Sequence, residues 1–142
     1  MSISVIGNRR GNIPKTVVAY LILTLAAIAF SRVYALFSHG VSSGSMTWLF
    51  LYPLLGGAAF YTLLGLLLPA APSVAGYRLF YNLHNSGVAT LSAASLLQGI
   101  LEIAGTASAY TVPLSYAGWT LAGGGLAVLL TGLIRRGCGD SL

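Results

Sequence analysis

Residues 16–37, TVVAYLILTLAAIAFSRVYALF, form an apolar run of 22 residues that is interrupted by a single charge. A helix needs about 20 apolar residues to cross a bilayer core that is about 30 Å thick. Three further apolar runs of similar length follow at 47–68, 79–104 and 114–134. We therefore predict an all-α integral membrane protein, a four-helix bundle that forms one transmembrane domain over residues 1–142.

The composition of the whole chain agrees with a membrane protein. Of the 142 residues, 56% are hydrophobic and 6% are charged, whereas soluble domains carry about 25% charged residues. So few charges cannot cover a water-exposed surface, which argues against a soluble enzyme and against nucleic acid as a partner. The single cysteine, Cys138, excludes an intramolecular disulfide and a structural zinc site. We expect the lipid bilayer as the surroundings and no cofactor or metal.

The basic residues indicate an orientation. Six of the seven Lys and Arg residues lie beside the apolar runs: Arg9, Arg10, Lys15, Arg78, Arg135 and Arg136. The positive-inside rule places all of them in the cytoplasm if both termini are cytoplasmic. The short connections predict antiparallel neighbours in an up-down topology. Small size and abundant Ala and Gly favour a bacterial inner membrane.

Two charged residues lie inside predicted spans. Arg32 is in the first span and Glu102 in the third, each about 5–8 Å below the outer boundary by helical rise. A charge in the hydrocarbon costs about 2.5–3.5 kcal/mol, so such residues usually face the interior and pair. We therefore predict a contact between Arg32 and Glu102. It is either a structural ion pair that fixes helix register or a site for a proton, an ion or a polar ligand.

The third span also carries a polar stripe. At 100° per residue its polar and small side chains fall on neighbouring arcs of the helix: Tyr81, His84, Asn85, Ser92, Ser95, Gln98, Gly99 and Glu102. Small and hydroxyl residues are ordinary packing material between membrane helices, but His84, Gln98 and Glu102 are harder to explain in that way. The stripe is therefore predicted to face other helices, a partner subunit or a water-filled cleft.

These positions define a set of candidate ligand-binding or ion-binding residues. It includes two tyrosines that are expected near the depth of Glu102, and its members are Arg32, Glu102, Gln98, Ser95, Tyr52, Tyr116, His84 and Asn85. We expect His84 to hydrogen-bond to Asn85 or to groups near the cytoplasmic surface. His39 falls in an outer loop on the opposite side of the membrane, so the two histidines cannot bind one metal ion within the chain.

Glycine and proline positions predict how the helices pack. Gly118, Gly125 and Gly132 recur at heptad spacing in the fourth span, where small residues allow close helix approach. Pro53 is expected to distort the second span.

Two classes of function agree with these features. The first is a small transport or ligand-binding protein, expected as a homo-oligomer, that uses Arg32, Glu102 and the polar stripe to hold a small molecule or an ion. The alternative is a non-catalytic accessory subunit or assembly factor of a larger membrane complex. An enzyme is the third interpretation, and we assign no catalytic residue, because His84 and Glu102 are about 27 Å apart along the helix.

Overall fold

The computed structural model describes residues 12–38 and 43–139. Its helices are α1 (Asn12–Phe37), α2 (Gly44–Leu67), α3 (Tyr77–Ile103) and α4 (Thr111–Gly139). A short 3-10 turn, Ala71–Ser73, lies between α2 and α3. The described part of the chain is therefore all-α, as the sequence predicts.

All four helices are long and apolar enough to cross a membrane, with spans of 24 to 28 residues. They suit a multi-pass membrane protein, and each predicted span overlaps one helix. The largest difference is at the end of α4, which continues from the predicted end at 134 to Gly139. Arg78 lies in the first turn of α3 and Glu102 in its last turn. We refer to the two ends of the molecule as the Arg78 end and the Glu102 end.

The second helix is not a uniform α-helix. It begins with one α-helical turn at Gly44–Thr47, contains a π-helical segment at Tyr52–Ala59 and ends as an α-helix at Phe60–Leu67. Pro53 lies at the start of the π-helical segment and has no backbone N–H to donate, so the regular hydrogen-bond ladder cannot pass through it. The distortion that we predicted at Pro53 takes the form of this widened segment.

Glycine brings α3 and α4 into close contact. A Cβ atom at Gly118 would lie 2.7 Å from Cγ of Leu91, and one at Gly125 would lie 2.9 Å from the backbone nitrogen of His84. Gly132 fits in the same way against the connection that precedes α3. Because these distances are shorter than ordinary contacts, a larger residue would push the helices apart. The predicted packing role of the α4 glycines is confirmed.

Tyr20 anchors α1 on the rest of the molecule. Its ring lies against Gly57 of α2 and stacks on Tyr61, with the ring centroids 5.9 Å apart. Tyr61 and Phe80 are the largest fully buried side chains, and both belong to the same hydrophobic cluster as Tyr20. This aromatic core joins α1, α2 and α3 in the half of the molecule that lies nearer the Arg78 end.

Candidate functional site

Hydroxyl and amide groups hold the carboxylate of Glu102. Ser45 Oγ donates to Glu102 Oε1 over 2.7 Å, and Gln98 Nε2 donates to the same oxygen over 3.1 Å. Ser43 Oγ donates to the other carboxylate oxygen. Ser43 is also the N-cap of α2, where its Oγ accepts a hydrogen bond from the backbone N–H of Met46. One carboxylate thus joins the first turn of α2 to the last turn of α3.

The predicted contact between Arg32 and Glu102 is not formed. Arg32 is exposed, and the side-chain partners of Glu102 that the structure describes are the two serines and Gln98. Counting residues along a helix gives depth, whereas a contact also requires the right rotation about the helix axis. Tyr20 is an α1 side chain that reaches α3. At 100° per residue Arg32 is turned by about 120° from Tyr20 about the axis of α1, so it lies on a different face of that helix.

His84 lies in a buried position between α2 and α3. Its side chain is 4% exposed, and its ring stacks on Phe60 with a centroid distance of 4.3 Å. The partner of Nε2 is the carbonyl oxygen of Gly56 in the π-helical segment, 2.7 Å away, and not the expected Asn85. Because a carbonyl only accepts, Nε2 carries a proton. Nδ1 is buried and has no hydrogen-bond partner among the described residues.

Asn85 connects three helices. Its Oδ1 accepts hydrogen bonds from the hydroxyl of Tyr20 over 2.7 Å and from the hydroxyl of Tyr61 over 2.8 Å. One turn away, the hydroxyls of Thr16 and Tyr81 are 2.9 Å apart. The part of the polar stripe nearer the Arg78 end is therefore occupied by contacts within the chain, which gives Asn85 a structural role.

A cavity of about 650 Å³ lies between α2, α3 and α4. Four of the predicted site residues line it: Tyr52, His84, Ser95 and Gln98. The other four lie outside its lining: Arg32, Asn85, Glu102 and Tyr116. Glu102 is nevertheless adjacent to the cavity, because Ser45 and Gln98 line it and also bind the carboxylate. Tyr116 is exposed on α4.

Sequence reasoning missed several residues of this site. Ser43 could have been found, because a serine just before an apolar run is a helix N-cap signal. Ser43 and Ser45 both lie just before the second predicted span, at the predicted depth of Glu102. Trp48 and Trp119 also line the cavity. Tryptophan near the end of a membrane span is ordinary, so nothing in the sequence marks these two as cavity residues.

The described residues contain no group of three or more His, Cys, Asp or Glu side chains that could hold a metal ion. His39 lies outside the described residues. The site consists of a cavity with mostly apolar walls and a few polar side chains and, beside it, a carboxylate held by serines. Comparison with protein-family models, with curated proteins and with solved structures finds no match to this chain.

Proposed function

We propose that this protein binds a small polar or cationic solute in the cavity between α2, α3 and α4 and carries it across the membrane. The observation that supports this most directly is the cavity of about 650 Å³ with polar side chains from His84, Ser95 and Gln98. Pockets of about 300–1,000 Å³ with apolar walls and a few convergent polar groups are typical of small-molecule sites. Polar groups at membrane depth are tolerated where they line such a space.

The surroundings of the cavity favour a cation over an anion. Its lining residues include no Lys or Arg, and Trp48 and Trp119 offer aromatic faces that attract cations. Ser45 and Gln98 connect the lining to the carboxylate of Glu102. A negative charge beside the cavity, with no cation in its walls, stabilises a positively charged solute.

Two neighbouring glycines of α4 allow a matched test. Gly123 lines the cavity and Gly124 does not, and a Cβ atom at either position would meet nothing within 4 Å. Gly123→Cys and Gly124→Cys are made in a Cys138→Ser background. The full-length proteins in membrane vesicles are then treated with methanethiosulfonate reagents that carry a trimethylammonium or a sulfonate group. The thiolate forms a mixed disulfide and releases a sulfinate, a reaction that is slow in a dry environment.

We expect Gly123→Cys to react about tenfold faster than Gly124→Cys, because a thiol in a wet cavity ionises more readily than one that faces lipid. We also expect the trimethylammonium reagent to react faster than the sulfonate reagent at Gly123→Cys. Equally slow labelling of both variants would mean that the cavity is dry, and solute binding would be refuted. Faster labelling by the sulfonate reagent would refute the preference for cations.

The alternative, an accessory subunit, requires the polar stripe of α3 to face another protein. Its side chains instead find partners in the same chain: Asn85 binds two tyrosines, Ser95 Oγ donates to the carbonyl of Ser45 over 2.7 Å, and Glu102 binds two serines. These contacts argue against the accessory subunit. A dry cavity, together with a purified protein that unfolds without a partner, would support the accessory subunit.

We also propose that the four helices run up and down through the membrane, with both termini in the cytoplasm. Gly87 lies next to Ala122, whereas Leu91 lies next to Gly118, so residue numbers fall along α4 as they rise along α3. Arg78 and the basic end of α4 lie at one end of the molecule, which the positive-inside rule assigns to the cytoplasm.

A further inference from the structure

The groove between α1 and α3 has a polar, cationic part at the Arg78 end. A cavity of about 490 Å³ lies there, and polar side chains from both helices line it: Lys15, Thr16, Tyr77, Arg78, Tyr81 and Asn82. Lys15 and Arg78 come from different helices and are 63 positions apart in the sequence (78 − 15), so the fold brings two positive charges to one cavity.

No described carboxylate balances these two charges. The chain has two acidic residues in total, of which Asp140 lies outside the described residues and Glu102 lies at the other end of α3. The rise of the helix separates Glu102 from Arg78 by about 36 Å. Two cations that share a cavity with no described carboxylate nearby create a positive potential that attracts an anion.

A second cavity, an apolar channel of about 440 Å³, lies between the same two helices and α2, nearer the Glu102 end. Alanines line both walls, Ala26 and Ala27 on α1 and Ala89 and Ala93 on α3, and small side chains leave this space open. The α1 wall extends from Tyr20 to Phe30, which is about 15 Å at the helical rise. This length equals half of a bilayer core of about 30 Å, the depth that one lipid acyl chain reaches.

We propose that this groove binds one anionic phospholipid, with its phosphate between Lys15 and Arg78 and one acyl chain along the alanine walls. Basic pockets between transmembrane helices are suited to anionic headgroups. Tyr77 and Asn82 add a hydroxyl and an amide that can donate hydrogen bonds to phosphate oxygens. A free phosphate ion shares the headgroup chemistry, but it has no acyl chain to fill the apolar channel.

Native mass spectrometry of the full-length protein, released from detergent micelles, measures this binding. The probes are phosphatidylglycerol and phosphatidylcholine with identical acyl chains. Arg78→Gln removes a charge from the cavity, and Arg135→Gln is its control, because it removes an exposed charge near the same end that is outside the cavity lining. Ala93→Phe fills the apolar channel, and Ala127→Phe, at an exposed position of α4, is the matched control.

We expect phosphatidylglycerol to bind more tightly than phosphatidylcholine. Arg78→Gln should weaken this binding about fivefold, since one Lys or Arg near anionic lipid contributes about 1 kcal/mol. Ala93→Phe should weaken it by at least as much, while both controls bind as the unchanged protein does. Excess inorganic phosphate should not displace the lipid.

Three results would overturn the proposal. Equal binding of phosphatidylglycerol by Arg78→Gln and Arg135→Gln would refute the headgroup site. Weaker binding in Arg78→Gln with unchanged binding in Ala93→Phe would show a site for a phosphate anion without an acyl chain. Equal binding of the two lipids would remove the preference for negative charge. If Ala93→Phe does not fold, displacement by inorganic phosphate decides between a lipid and a free anion.

Discussion

Replacing Gly87 with alanine tests the contact between α3 and α4 directly. A Cβ atom at this position would lie 2.5 Å from the backbone nitrogen of Ala122 and 2.8 Å from its Cα and Cβ atoms. Ordinary contacts begin at 3.4 Å, so the two helices would have to move apart by about 0.9 Å (3.4 − 2.5). None of these three atoms can rotate away. Overpacking of this kind costs about 1–3 kcal/mol, and we expect the free energy of unfolding to fall by that amount.

The assay is unfolding of the purified protein in mixed micelles with a rising fraction of sodium dodecyl sulfate, followed by circular dichroism. Gly123→Ala is the control, because its Cβ atom meets nothing within 4 Å. Alanine also favours a helix over glycine by about 0.5–1 kcal/mol, so the control should be as stable as the unchanged protein or slightly more stable. If Gly87→Ala unfolds at the same denaturant fraction as Gly123→Ala, glycine packing does not hold α3 against α4.

Two further predictions concern charge and orientation. Arg32→Met should change the free energy of unfolding by less than about 0.5 kcal/mol, as for an exposed residue. Glu102→Gln should lower the free energy of unfolding by the same amount in the unchanged protein and in the Arg32→Met background. A coupling energy above about 1 kcal/mol in this double-mutant cycle would show that Arg32 and Glu102 interact. The exposed Cys138 near the end of α4 should react with a membrane-impermeant maleimide in inside-out vesicles and not in right-side-out ones. The reverse pattern would invert the topology.

The sequence predicts the helices and one packing contact well. Span length follows from bilayer thickness, so the apolar runs locate all four helices to within a turn or two. The glycine row of α4 is equally predictable, because heptad spacing places Gly118, Gly125 and Gly132 on one face of the helix whichever helix packs against it. The end of α4 is less predictable: hydropathy stops at Arg135, whereas backbone hydrogen bonding continues to Gly139.

The candidate site is predicted only in part, because it depends on helix rotation and on backbone irregularity. Depth alone suggested Arg32 as the partner of Glu102, but the serines at the start of α2 bind the carboxylate. The partner of His84 is a backbone carbonyl, Gly56, in a π-helical segment. Residue types cannot identify a backbone acceptor, since every residue carries one.

Different forces attach the other helices to α3, and this difference explains where the cavity lies. Hydrogen bonds to Asn85 and Glu102 attach α1 and α2, whereas close backbone approach at Gly87 and Gly118 attaches α4. In a bilayer, helix association relies on such packing and hydrogen bonds. Because α2 and α4 each pack on α3 through these contacts, a space remains between them. The cavity is in that space, between walls that carry Trp48 and Trp119.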